Sequence, residues 1–333
     1  MKNIVMCFDR TQDHSGRRAS TNAGALFGLV ESSPRQQTWY DAGSMQRPSV
    51  GALRWRHTAA ESARASIADA YRFLVDVWIP GDEVYLFGVG RGASCARELA
   101  RLIGTIGVWP YRRDRLLDYL LGAYVLPRTV RTAADWGRIR LLTASLTGRR
   151  TVAAHVGYLG LWDSVTVPGV PHTANEELAN VAAGRHAIAI DGGHFGEHVD
   201  THAVEEVWFR GAHCDVDGTR GACWQLADIP LDWVLDGAVR AGLLLRGGCR
   251  LPTPTEFDAL AGGGSHPLSM RKLPEDARVH ASVEVFLRAH PQYWRRLPAR
   301  IEWDDVEWLA RGERLVHAHR PAPVPSRELA TVH

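Results

Sequence analysis

The chain has 333 residues, 23% of them charged and 45% hydrophobic, enough for two average domains or for one large α/β domain with insertions, and enough to bury a sizeable core. Lysine and arginine total 39 against 37 acidic residues, a formal net charge of +2 spread along the chain. That balance leaves no basic footprint for nucleic acid or for an anionic membrane.

In chain order, NIVMCF (Asn3 to Phe8) is a short continuous apolar run ending in Asp9, which reads as a central parallel strand whose carboxyl end opens onto a site. The apolar stretch before Asp9 and Arg10 is too short for a signal-peptide core or a membrane span, and nothing later reaches that length. QQTWYDAG, ending in Asp41 and Gly43, is a second strand candidate. Between Ala59 and Ile79 the residues Ile67, Tyr71, Leu74, Val75 and Trp78 recur at helical spacing, and Pro80-Gly81 stops the helix. EVYLFGV (Glu83 to Val89) is a third strand, followed by a helix from about Arg91 to Ile103. Strand and helix alternating in this way predict a parallel sheet covered on both faces.

From Tyr111 to Gly148 the pattern is helical with no strand signal, which predicts a cap insertion over about residues 108–150 whose leucines form a core stripe by default, with a lid or a partner face as alternatives. Strands resume in TVAAHVGYLGLWD, ending at Asp163, then in HAIAID and VEEVWFRGAHCD. QLADIPLDWVLDGAVRAG is a further helix. After Arg250 the chain is rich in Pro, Gly and Arg and is expected to wrap the domain irregularly, with residues 321–333 a disordered tail. The expectation is a single α/β domain over residues 1–320.

The five cysteines are odd in number, scattered and without C-x-x-C spacing, which fits a reduced, cytoplasmic-type interior; secretion without a signal peptide stays open. All basic residues but Lys2 and Lys272 are arginine, the usage of a GC-rich, bacterial-type genome.

A doubly wound hydrolase needs a nucleophile after a central strand, then an acid, then a histidine, because the loops at the carboxyl edge converge there. The strand ends supply Gly90, Asp163 and His213 in that order. Further matches accumulate along the chain: KNIVMCFDRT, Thr21-Asn22, WYDAG, AYRFL, GDEVYLFGVGRGA, GLWDSV, VWFRGAHCDVDG, LADI and VHASV. Together these resemble the bacterial α/β-hydrolase family that includes the catalytic domains of type VI secretion phospholipase effectors, from residue 2 to about 299. The resemblance implies an α/β-hydrolase-like, doubly wound, mostly parallel sheet, with Asp163 as triad acid and His213 as general base.

It also implies a serine where this chain has Gly90. Gly88, Arg91 and Gly92 would complete the elbow and its oxyanion amides, with Asp9 and Thr11 organising the adjoining first-strand loop. Departures from the family pattern gather around the same place: Arg10 for glycine, Val89 for phenylalanine, Ser94 for an aromatic residue, Cys214 for serine and Asp217 for glycine. Without an oxygen or sulfur at position 90 no acyl-enzyme forms there. The expectation is therefore a lipase- or esterase-like protein that has lost serine-hydrolase chemistry, uses no cofactor, and keeps a lipid, acyl-ester or protein-partner binding role.

Competing readings remain at the level of sequence. One is an active hydrolase with a rebuilt site, in which His213 activates water directly. A second is a metal site in GGHFGEHVDTH, where helical spacing would align His194, His198 and His202. A third is phosphate or nucleotide binding, because Gly88 to Ala93 fits G-x-G-x-x-A.

Overall fold

The computed structural model describes residues 1–9, 21–43, 52–110, 115–122, 132–148, 153–167, 178–193, 196–199, 202–264 and 271–310. Thr11, His194 and the 321–333 tail lie outside them. Among the described residues eight strands form one sheet: β1 (Asn3–Phe8), β2 (Gln36–Asp41), β3 (Glu83–Val89), β4 (Val156–Trp162), β5 (Gly184–Ala189), β6 (Val204–Phe209), β7 (Ala277–His280) and β8 (Ile301–Asp304), in the order β2-β1-β3-β4-β5-β6-β7-β8. Every ladder pair is parallel.

Because β1 lies between β2 and β3, the chain winds one way from β1 and the other way from β3 onward. The reversal opens a crevice outside the carboxyl ends of β1 and β3, where doubly wound sheets carry their sites.

Helices cover both faces: α1 (Asn22–Leu29), α2 (Ala52–Val77), α3 (Arg91–Ile106), α4 (Arg115–Leu120), α5 (Ala133–Thr147), α6 (His213–Asp217), α7 (Trp224–Arg240), α8 (Glu256–Leu260) and α9 (Ser282–Ala289). A strand buried on both sides needs apolar residues at every position, and the two-residue period then sorts them. In β1, Ile4, Met6 and Phe8 enter the core that holds Leu99 and Ile103 of α3, whereas Val5 and Cys7 enter the core that holds Leu26 of α1 and Trp233 of α7. The buried Thr21-Asn22 pair joins α1 to the second layer. Thr21 Oγ1 caps the helix by accepting from Gly24 N, and Asn22 Nδ2 donates to the carbonyls of Val216 and Ala227 at 2.8 and 3.0 Å.

The structure corrects three expectations. The segment after Arg250 is not irregular wrapping: it adds α8, α9, β7 and β8 and extends the sheet. Its strands are four residues long, and Val279 packs with Ile188, Trp208 and Leu297 in a third apolar cluster.

The strand in VEEVWFRGAHCD stops at Phe209, and His213 opens the short helix α6. In the insertion, Leu117 and Leu121 join the core as expected, and the buried stripe of α5 is Trp136, Ile139 and Thr143, with the Arg101 guanidinium 3.9 Å above the Trp136 ring; Leu141, Leu142 and Leu146 are instead 73%, 43% and 45% exposed.

Candidate functional site

The turn between β3 and α3 stands at the switch point. Gly90 has φ +51° and ψ −114°, a conformation that a side chain tolerates only under strain. Its backbone is tied to the end of β4, with Gly90 N donating to the Trp162 carbonyl at 2.9 Å and Val165 N donating to the Gly90 carbonyl at 3.2 Å. The flanking glycines are set by backbone crowding. A Cβ on Gly92 would meet the Phe8 carbonyl oxygen at 2.0 Å, and one on Gly88 would meet the Gly92 carbonyl oxygen at 2.5 Å. This is the tight strand-to-helix geometry of a nucleophile elbow, with glycine at its apex.

Asp163, Gly90 and His213 converge. Asp163 follows β4 at φ +44°, a left-handed conformation that aspartate adopts more readily than most side chains, and it is fully buried. Its Oδ2 accepts from His213 Nδ1 at 2.6 Å. On the other side of the ring, Nε2 of His213 lies 3.0 Å from Oδ2 of buried Asp217, an ion-pair contact without hydrogen-bond alignment. The second Asp217 oxygen is pinned, accepting from Thr219 N at 2.9 Å and Thr219 Oγ1 at 2.7 Å. A Cβ built on Gly90 would lie 3.2 Å from His213 Nε2 and 3.5 Å from Asp217 Oδ2.

Two carboxylates therefore face one imidazole. Burial alone would lower the His213 pKa, but Asp217 and then Asp163 outweigh it and hold it well above the ordinary histidine value. That surrounding favours the imidazolium form, whose two ring N–H groups face the two carboxylates.

The residue that completes the group, Arg271, escaped the sequence reading. Its guanidinium grips both Asp163 oxygens, with Nη2 3.0 Å from Oδ2, and its Nε donates to the Gly193 carbonyl at 2.7 Å. Burial would raise the Asp163 pKa; the hydrogen bond from His213 and then the charge of Arg271 hold the carboxyl well below the usual carboxylate range. The signal for Arg271 lay in the glycines of GGHFGEH. A Cβ on Gly192 or Gly196 would stand 2.9 or 2.5 Å from the guanidinium carbon, so these glycines make room for Arg271. The result is a chain of alternating charge: Arg271, Asp163, His213, Asp217.

The other expected residues are placed as follows. Asp9 is buried, accepts from the Tyr40 hydroxyl, and donates its amide to the Asp41 carbonyl at 3.0 Å, joining the carboxyl ends of β1 and β2. Arg91 opens α3 and is exposed.

Ser94 Oγ lies 2.7 Å from both the Val165 carbonyl oxygen and Glu197 Oε2, so its one proton is shared between these two acceptors. The Cys214 thiol is pushed up to about 12, first by burial and then by Asp215 and Asp217, so it stays protonated. Residues 196–199 are not helical, which removes the predicted alignment of the histidines. His198 bonds Glu206 at 2.9 Å, His202 is exposed, and among the described residues no group of three His, Cys, Asp or Glu could hold a metal.

His186 and Glu206 support the end of β4 from below. Ser164 N donates to His186 Nε2 at 3.1 Å, and Nδ1 bonds Glu206 Oε1 at 2.8 Å. A cleft of about 450 Å³ lies between α1, the start of α7 and residues 250–258, lined by Leu29, Trp224, Asp228, Arg250 and Pro252 and by none of Gly90, Asp163, His213 or Asp217.

A parallel, doubly wound sheet with an elbow at its switch point, followed in chain order by a paired acid and histidine, defines an α/β-hydrolase-like domain. The chain belongs to the family described as "T6SS, Phospholipase effector Tle1-like, catalytic domain", which it matches over residues 2–237. It is 35% identical over 122 residues to the uncharacterized protein YEL023C of Saccharomyces cerevisiae; the match takes in 32% of this chain and spans 18% of that protein.

Among solved structures it is similar to the Tle1 effector bound to the VgrG spike of the type 6 secretion system, at 12% identity and a TM-score of 0.47, covering 94% of this chain and 83% of that one. It is also similar to an uncharacterized protein from Pseudomonas aeruginosa, at 13% identity and a TM-score of 0.44, covering 98% and 60%. Among the described residues no helix is long and apolar enough to cross a membrane.

Proposed function

We propose that this chain is a phospholipase-effector-related domain without acyl-enzyme chemistry, whose retained role is to bind an acyl or lipid ligand or a protein partner. The observation that carries the reading is Gly90: the elbow conformation is kept and no nucleophilic atom stands on it. Removing such a nucleophile costs on the order of a millionfold in turnover. Ser94 is held by Glu197, and the Cys214 thiol is kept neutral. The binding role is supported by the exposed leucines 141, 142 and 146 on the cap, since an apolar face left open on a folded domain marks a surface used for contact.

The alternatives fare less well on the same geometry. Direct activation of water by His213 needs a free base, and both ring nitrogens already face carboxylates. Phosphate on the Gly88–Ala93 turn would meet the Asp217 carboxylate.

The test is hydrolysis of short-chain acyl esters and phospholipids by the native chain and its His213→Ala variant, with and without a chelator. We expect no turnover above background in either protein. Turnover that disappears in His213→Ala would overturn the reading, and chelator sensitivity would then assign it to a metal.

A further inference from the structure

Asp217 is the one member of the charge chain with an oxygen aimed at the elbow. Its side chain is fully buried, Thr219 fixes one oxygen, and the other, lacking an aligned hydrogen bond, stands 3.0 Å from His213 Nε2 and 3.5 Å from where a side chain on residue 90 would begin. In a serine hydrolase that region belongs to the hydroxyl, because Nε2 must receive its proton. A Cβ at position 90 would sit 3.2 Å from Nε2, so a side chain there requires the ring to give by a few tenths of an ångström. The absence of a side chain at position 90 thus leaves the space beside Nε2 to the Asp217 carboxylate.

We propose that Asp217 has taken the nucleophile's place as the partner of His213 Nε2, so that positions 90 and 217 act as a pair and a serine placed at position 90 is activated by the histidine only when Asp217 is also changed. The inference rests on reading Gly90 as the vacated nucleophile position, and it assigns Asp217 as a positioning residue that locks the ring between itself and Asp163. Among the described residues the charged groups facing the ring are Asp163 and Asp217, with Arg271 acting on it through Asp163.

Two measurements test it. In the first, NMR titration follows the His213 ring in the native chain and in Asp217→Asn. The midpoint should fall by about one pH unit or more once the second carboxylate is neutral; an unchanged midpoint overturns the proposal even if every variant is inert. In the second, Gly90→Ser, Asp217→Gly and the double variant are exposed to a fluorophosphonate probe. Labelling requires the serine oxygen to form a bond to phosphorus, fluoride to leave, and the hydroxyl proton to pass to Nε2.

We expect the double variant to label about a hundredfold faster than Gly90→Ser, the scale of a general-base contribution. Equal rates in the two, with both folded by circular dichroism, overturn the pairing. Hydrolysis by the native chain would sink the non-catalytic reading and leave the His213 titration as the separate judge of Asp217.

Discussion

Arg271 holds both carboxylate oxygens of Asp163, 108 residues earlier in the chain, with its Nη2 3.0 Å from the same Oδ2 that accepts from His213. The guanidinium is 7% exposed and the carboxylate fully buried. Removing one partner of such a pair leaves a charge in low dielectric, so Arg271→Ala should cost about 3 kcal/mol in denaturant unfolding. A loss within about 0.5 kcal/mol would show that water or another group replaces the arginine.

The depressed Asp163 carboxyl also sets a sign in acid. A group whose folded pKa lies below its unfolded value near 4 contributes stability above that value and loses it as the pH falls through the folded one. The native chain should therefore hold its stability well into acid, and Arg271→Ala should begin to lose it at higher pH. Denaturation midpoints between pH 6 and pH 2 read this directly.

His213 carries the opposite sign. Its folded pKa is raised, so its contribution is complete below the unfolded value near 6.5 and disappears as the pH rises through the folded one. Asp217→Asn should move that loss toward neutral pH, and His213→Gln should flatten it. Urea midpoints from pH 5 to pH 10 distinguish the two.

Glycine substitutions should separate sharply by position. Gly92→Ala would drive a methyl into the Phe8 carbonyl and should cost more than about 4 kcal/mol or prevent folding. Gly137→Ala, on α5 with nothing within 4 Å of the added atom, should gain about 0.5–1 kcal/mol from helix propensity. Thermal melts of the two variants make the comparison.

Replacing Leu141, Leu142 and Leu146 together by serine should change stability little, because these side chains are exposed, while weakening adsorption to phospholipid vesicles or capture of a partner. Vesicle flotation beside thermal melts would test this. Unchanged adsorption to both neutral and anionic vesicles, with unchanged partner capture, would remove the cap leucines from the binding role.

Much of this arrangement was legible in the sequence because it rests on local signals. The apolar runs of β1, β3 and β4 are continuous because both faces of those strands are covered, and Gly90, Asp163 and His213 were found as strand-end residues in hydrolase order. Asp217 was visible only as a departure from the family pattern: its i,i+4 spacing from His213 pairs the two side chains only on a helix, and the segment reads in sequence as the end of a strand. Arg271 gave no pattern of its own, being one arginine in a Pro- and Gly-rich stretch with a distant partner. The two late strands were hidden for a related reason, since four-residue strands whose register comes from a neighbouring strand carry too few residues for a period to show.

The distance in sequence between Asp163 and Arg271 also bears on how the protein is made. A ribosome adding about 5 to 20 residues per second needs roughly 5 to 20 s to cover the separation, far longer than a local helix or collapse takes. During that interval the growing polypeptide holds an aspartate whose histidine partner follows after 50 residues but whose arginine partner is not yet translated. The full set of charges around it is therefore complete only after β1 to β6 have been made.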